Sequence, residues 1–183
     1  MLNVDLIESV DYLSGGFPSN RGNTLSSIFE FSQKVGNPDK LNTNLTLGSS
    51  DLALLLDGPL GNNSSFVLSA RKSYLQFLFK ALQLPFLPEY NDIQFKYLNR
   101  LSDQSELTVI GLGAIDNFSL NKEANEGLSD IETLNRNQYI LDNIPVNDQW
   151  NYTIGSRYRY FMPKGGFHTL VLSRNHLNNT AIK

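Results

Sequence analysis

Trp150-Asn151-Tyr152-Thr153-Ile154-Gly155-Ser156-Arg157-Tyr158-Arg159-Tyr160-Phe161 alternates from end to end. One parity carries Trp150, Tyr152, Ile154, Ser156, Tyr158 and Tyr160; the other carries Asn151, Thr153, Gly155, Arg157 and Arg159. Successive side chains of a strand point to opposite faces, so these residues predict one apolar face with aromatic ends and one polar, cationic face. Asp92–Arg100 repeats the pattern, setting Ile93, Phe95 and Tyr97 against Asp92, Gln94, Lys96 and Arg100. Ser65–Lys72 sets Phe66, Leu68 and Ala70 against Ser65, Ser69 and Arg71. A half-buried sheet of a soluble sandwich alternates in the same way. A strand that crosses a membrane needs about 9–11 tilted residues and ends in aromatic girdles, and Trp150–Phe161 has both the length and the rings.

Working outward, turn residues divide the chain into further strands at Leu41–Leu47, Asp51–Asp57, Leu107–Phe118 and Phe167–His176. These segments are rich in β-branched and aromatic residues and bounded by Gly, Pro, Asn and Ser clusters. Connections at Leu60–Ser64, Leu101–Ser105 and Met162–Gly166 are short, whereas Ser73–Glu89 and Ser119–Gln149 are long. They fall on alternate ends of an up-and-down meander, as the brief and extended loops of outer-membrane barrels do. Both long connections are expected to hold a short helix. Tyr74–Leu82 places Leu75, Leu78, Phe79 and Leu82 on one helical face ahead of Pro85, and Ser129-Asp130-Ile131-Glu132 matches a capping box. Upstream, Asn3–Val35 reads as two short strands around a glycine-rich turn, where Gly supplies positive φ.

Composition narrows the classes. Of 183 residues, 18% are charged and the net charge is −3, with no Lys/Arg cluster, which argues against nucleic-acid binding. There is no cysteine, hence no disulfide framework or thiolate metal site. The chain has 29 Leu, 11 Phe and 8 Tyr, enough apolar surface to fold. Met1–Leu13 carries Asp5, Glu8 and Asp11 and no basic residue, unlike a secretory signal.

The run Leu6-Ile7-Glu8-Ser9-Val10-Asp11-Tyr12-Leu13-Ser14-Gly15-Gly16-Phe17-Pro18-Ser19-Asn20-Arg21-Gly22-Asn23, followed by Leu25-Ser26-Ser27-Ile28, resembles the end of the plug domain of a TonB-dependent outer-membrane receptor. In that family an acidic, alternating strand leads into a glycine-rich turn and then a strand that enters the barrel. Leu52–Gly61, Ser69–Leu75, Pro145–Gly155 and Leu172–Asn179 resemble successive barrel segments of the subgroup that often has a carboxypeptidase-regulatory-like domain ahead of the plug. Arg21 stands where the family usually has Tyr.

The resemblance implies an all-β fold: an antiparallel meander forming part of a transmembrane barrel, with a plug remnant and short helices in the long loops. Residues 1–36 would end the plug, with Gly15, Gly16, Phe17, Pro18, Gly22 and Asn23 as its structural turn. Residues 37–183 would be about seven barrel strands of a longer receptor, with two sheet edges awaiting partners. It further implies energy-coupled uptake of a scarce nutrient (siderophore, cobalamin, glycan or peptide) across a Gram-negative outer membrane. The partners would be the TonB complex, membrane lipid and, in some relatives, a surface lipoprotein. Neither catalysis nor a cofactor is expected. Arg71, Lys96, Arg100, Arg157 and Arg159 would face the lumen, where they would bond plug carboxylates or line a route for anions.

Other candidates are weaker. His168 and His176 lie eight residues apart, about 27 Å along a strand, too far for one metal. Gly111-Leu112-Gly113 lacks the third glycine of a dinucleotide fingerprint and is expected to mark close backbone approach, for example to the plug. Two alternatives stay open on the residues alone: a complete lipocalin-like soluble barrel, which would bury Trp150, and a self-contained eight-stranded outer-membrane protein.

Overall fold

The computed structural model describes residues 3–182. A 3₁₀ turn (Val4–Leu6) leads into a two-stranded ribbon of β1 (Ile7–Ser14) and β2 (Ser27–Gln33). A separate seven-stranded sheet follows: β3 (Asn42–Leu47), β4 (Asp51–Pro59), β5 (Ser64–Ser73), β6 (Phe86–Ser102), β7 (Ser105–Leu120), β8 (Val146–Phe161) and β9 (Phe167–Ile182). Every strand pairs antiparallel with the next in sequence, so the sheet is a meander with β3 and β9 at its edges. The helices are α1 (Leu75–Ala81) before β6 and α2 (Ile131–Asn143) before β8.

Strands β6 to β9 run 16 or 17 residues, well beyond the expected segments. The extra pairs, such as Pro88 with Phe118 and Asn147 with Ala181, join stretches without apolar alternation. Backbone pairing continues there without a hydrophobic signal in the sequence.

Register assigns a face to every strand. Opposite residues share a face, and the row Leu56, Leu68, Phe95, Gly111, Ile154 crosses five strands. With it on the outward face lie Leu45, Leu54, Ile93, Ile115, Trp150 and Tyr158. The opposite face carries Asp57, Ser69, Arg71, Asp92, Gln94, Lys96, Thr108 and Arg157. The N-terminal segment lies across this second, polar face.

Burial is therefore inverted. Among the described residues the buried apolar side chains are Leu6, Val67, Ala114 and Ala124, whereas ten polar ones are buried, Gln94 and Ser69 almost completely. On the outward face Ile93, Ile115, Trp150 and Ile154 are each 42–53% exposed. A water-soluble sheet with one solvated face shows the reverse order.

Two glycines sit in the outward face, and one of them makes room for a ring. A Cβ on Gly111 would fall 2.1 Å from the Phe95 ring, so that ring lies flat across the β7 backbone; a Cβ on Gly113 would meet Ile93 only at an ordinary 3.5 Å. Both glycines thus serve the outward face, and the expectation of an approach to the N-terminal segment is corrected. The intruding group is an aromatic side chain of the neighbouring strand.

At the end opposite the short turns the two long connections interlock. Phe79 of α1 packs on Phe86, which stacks on Phe118. Asn121 Nδ2 donates to the Leu84 carbonyl, Gln83 Nε2 to the Glu126 carbonyl, and Lys80 pairs with Glu123 at 2.8 Å. Ala124 is fully enclosed, beside Asn137 of α2. The expected capping box is displaced by one residue: Asp130, not Ser129, is the N-cap of α2, accepting from Thr133 N. Leu78 and Leu82, expected on the packed face of α1, stay exposed because only Phe79 reaches the aromatic cluster.

Candidate functional site

The polar face is organised by a buried hydrogen-bond chain. Asn3 Nδ2 donates to Ser69 Oγ at 2.7 Å, and the Asn3 N–H reaches Gln94 Oε1 at 3.4 Å. Gln94 Nε2 donates to Asp92 Oδ1, and Arg71 binds the same carboxylate, with Nη2 at 2.8 Å from Oδ2. Asn3, Ser69, Gln94 and Asp92 are polar and at or near full burial, so each partner removes a desolvation cost of about 1–3 kcal/mol. This chain fixes the N-terminal segment on β5 and β6. Two further clamps lie nearby: Lys96 Nζ donates to the Gln33 carbonyl at 2.5 Å, and Asn37 N donates to Asp57 Oδ2. Gly36 lies against the β5 backbone, where a Cβ would sit 2.2 Å from the Phe66 carbonyl oxygen.

Between ribbon and sheet is a cavity of about 670 Å³. Lys96 and Arg157 enter it from β6 and β8, Glu8 and Phe31 from the ribbon, and Thr108 and Gly155 from the sheet. Arg157 Nη2 donates to Thr108 Oγ1 at 3.3 Å and lies 3.6 Å from Glu106, while its Nε is buried without a partner. Lys96 is within electrostatic reach of Arg157, Glu8 and Glu106. Two cations therefore share one wall of the cavity, with one carboxylate facing them across it.

All five expected cationic positions fall on the covered face. Of these, the structure brings only Lys96 and Arg157 together around the cavity. Arg71 is taken up in the buried chain with Asp92. Arg100 is exposed at the short-turn end, lining a smaller cleft with Ser102 and Glu106. Arg159 lies between the rings of Phe161 and Phe167, 5.7 Å from each centroid. Their carboxylate partners, Asp92 and Glu106, belong to neighbouring strands of the same sheet. The ribbon contributes the carbonyl of Gln33 and the more distant Glu8. Asp92 and Glu106 stand directly opposite Arg71 and Arg100 in the ladder, a signal that register supplies and composition does not.

The ribbon turn holds Gly15, Gly16, Phe17, Pro18, Gly22 and Asn23. Positive φ is needed at Gly15 (+77°) and at Asn23 (+57°), but not at Gly16 or Gly22. Arg21 pairs with Glu30 across the ribbon, and that hydrogen bond holds the Glu30 carboxyl below the usual carboxylate range. His176 lies tilted against Trp150 at 4.8 Å and stacks on Tyr152, and His168 lies opposite Tyr160; both histidines belong to the outward face. No group of three or more His, Cys, Asp or Glu converges on a metal position among the described residues.

Comparisons with protein-family models, curated proteins and solved structures find no match to this chain.

Proposed function

We propose that the chain is part of a TonB-dependent outer-membrane receptor, mediating energy-coupled uptake of a scarce nutrient of the siderophore, cobalamin, glycan or peptide class. Residues 1–36 end the plug and residues 37–183 form successive barrel strands. The observation that carries this reading is the inverted burial: a polar face covered by the N-terminal segment and an apolar face left open. From Trp150 to Tyr160 the aromatic-ended band measures about 33 Å along the strand. At a tilt of about 40° that is about 25 Å, the height of a barrel's lipid-facing band. A lipocalin-like barrel needs the opposite parity inside, so the same observation weighs against it.

In this reading the outward face meets acyl chains and the interlocked long loops face outside the cell. The ribbon fills the lumen, where the TonB complex, with a surface lipoprotein in some relatives, acts on the whole receptor. Transport requires no bond chemistry.

Trp150 is the chain's one tryptophan, which makes the test direct. With the 183-residue chain refolded into lipid vesicles, acyl chains brominated near the headgroup should quench its emission strongly, and bromines at the chain terminus less. A folded chain that stays in the aqueous phase with Trp150 unquenched overturns the proposal.

A further inference from the structure

The cavity under the ribbon has the make-up of a ligand site, and we infer that it binds a small amphipathic monocarboxylate: carboxylate on Lys96 and Arg157, apolar body against Phe31, Ile110, Leu112 and Val171. At about 670 Å³ it lies within the roughly 300–1,000 Å³ of small-molecule sites. Its wall sets these four apolar side chains beside polar ones from both the ribbon and the sheet, an amphipathic lining. Lys96 and Arg157 line the cavity with Glu8, and Glu106 beside Arg157 balances the charge, so the attraction for an anion is local, at the ammonium and guanidinium donors.

The cations have spare donors. Among the described residues Lys96 has one acceptor, a carbonyl, leaving two of its three ammonium protons for a ligand. The Arg157 side chain is 41% exposed, so its guanidinium is open to a ligand although its Nε is buried with no partner. A carboxylate between them would also offset the repulsion between these like charges, which Glu8 and Glu106 already oppose in part. Gly155 keeps the floor open: a Cβ there meets only ordinary contacts, the nearest at 3.5 Å, so a larger side chain would enter the cavity without disturbing the strand. This inference stands on the cavity and does not require a membrane around the sheet.

The test is titration calorimetry of 4-phenylbutyrate into the full chain in lipid nanodiscs, with empty nanodiscs subtracted. On the unaltered chain the acid should bind at least 10-fold more tightly than 4-phenylbutyramide, and acetate should be no better than the amide. Lys96→Met and Arg157→Gln should each weaken binding at least 5-fold, Gly155→Val should abolish it, and Glu8→Gln should tighten it 2- to 5-fold. Lys72→Met, on the outward face, should leave it unchanged. Equal affinity for acid and amide, acetate binding as well as phenylbutyrate, or loss with Lys72→Met equal to that with Lys96→Met overturns the site. A chain that enters lipid without binding the acid loses this inference alone; one that binds the acid but stays out of lipid loses only the receptor reading.

Discussion

Gly36 and Gly111 are both places where a single methyl group has nowhere to go, but the obstacles differ. Beside Gly111 it is the Phe95 ring, which can swing away; beside Gly36 it is the Phe66 backbone, fixed by its ladder. Gly111→Ala is expected to cost about 1–3 kcal/mol, the usual range for overpacking, with partial recovery when Phe95→Leu is added. Gly36→Ala should cost more and find no such partner. Urea unfolding of the lipid-refolded chain measures both, and equal costs would refute the distinction. A comparable contrast holds at Arg71 and Asp92, whose side chains are 10% and 2% exposed. Arg71→Ala strands a buried carboxylate and should cost about 3–5 kcal/mol in the same unfolding measurement. These residues were only partly legible in the sequence. The cationic parity is a local period-two pattern, but Gln94, Ser69 and Asn3 become significant only when the fold closes a sequence separation of 66 and brings Asn3 onto β5.

At the scale of the element, the alternating strands make opposite demands on their two faces. If the outward face meets lipid, Ile93→Lys should cost about 2–4 kcal/mol near mid-membrane, whereas Asn175→Lys, on the other parity, should change stability by less than about 0.5 kcal/mol. Indistinguishable costs in lipid-refolded protein would show that water bathes both faces. Helix α2 makes a pH-dependent prediction. Hydrogen bonds from the Thr133 side chain and backbone hold the Asp130 carboxyl below its ordinary range. Its folded value is thus lower than its unfolded one, so the cap is fully present above the usual Asp range and is lost as pH falls through the depressed value. Amide exchange at Thr133 and Leu134 should accelerate on acidification, and Asp130→Ala should reproduce the fast exchange at neutral pH. An acid-insensitive first turn would contradict this. The sequence announced the helix but misplaced its cap, because Ser129 and Asp130 are both good N-caps and local spacing does not choose between them.

For the whole molecule, an exposed apolar face and two open strand edges are association surfaces. Diluted into detergent-free buffer, the chain should sediment as concentration-dependent assemblies, and lipid should restore a single small species. A stable monomer in plain buffer would contradict both the open edges and the outward apolar face.

Apart from the added length of β6 to β9, the amino-acid order alone determined where the strands and turns lie and, in β5, β6 and β8, the division into an oily and a polar side. All of these arise from contacts within a few residues, where alternation and turn chemistry operate. Which side would be covered was decided by tertiary structure. Only the docking of Asn3–Leu6 and the ribbon on β5 and β6 closes the polar side, joins Lys96 and Arg157 to Glu8 around a cavity, and leaves the oily side open. Period-two patterning is symmetric with respect to inside and outside, and a distant segment of chain breaks that symmetry.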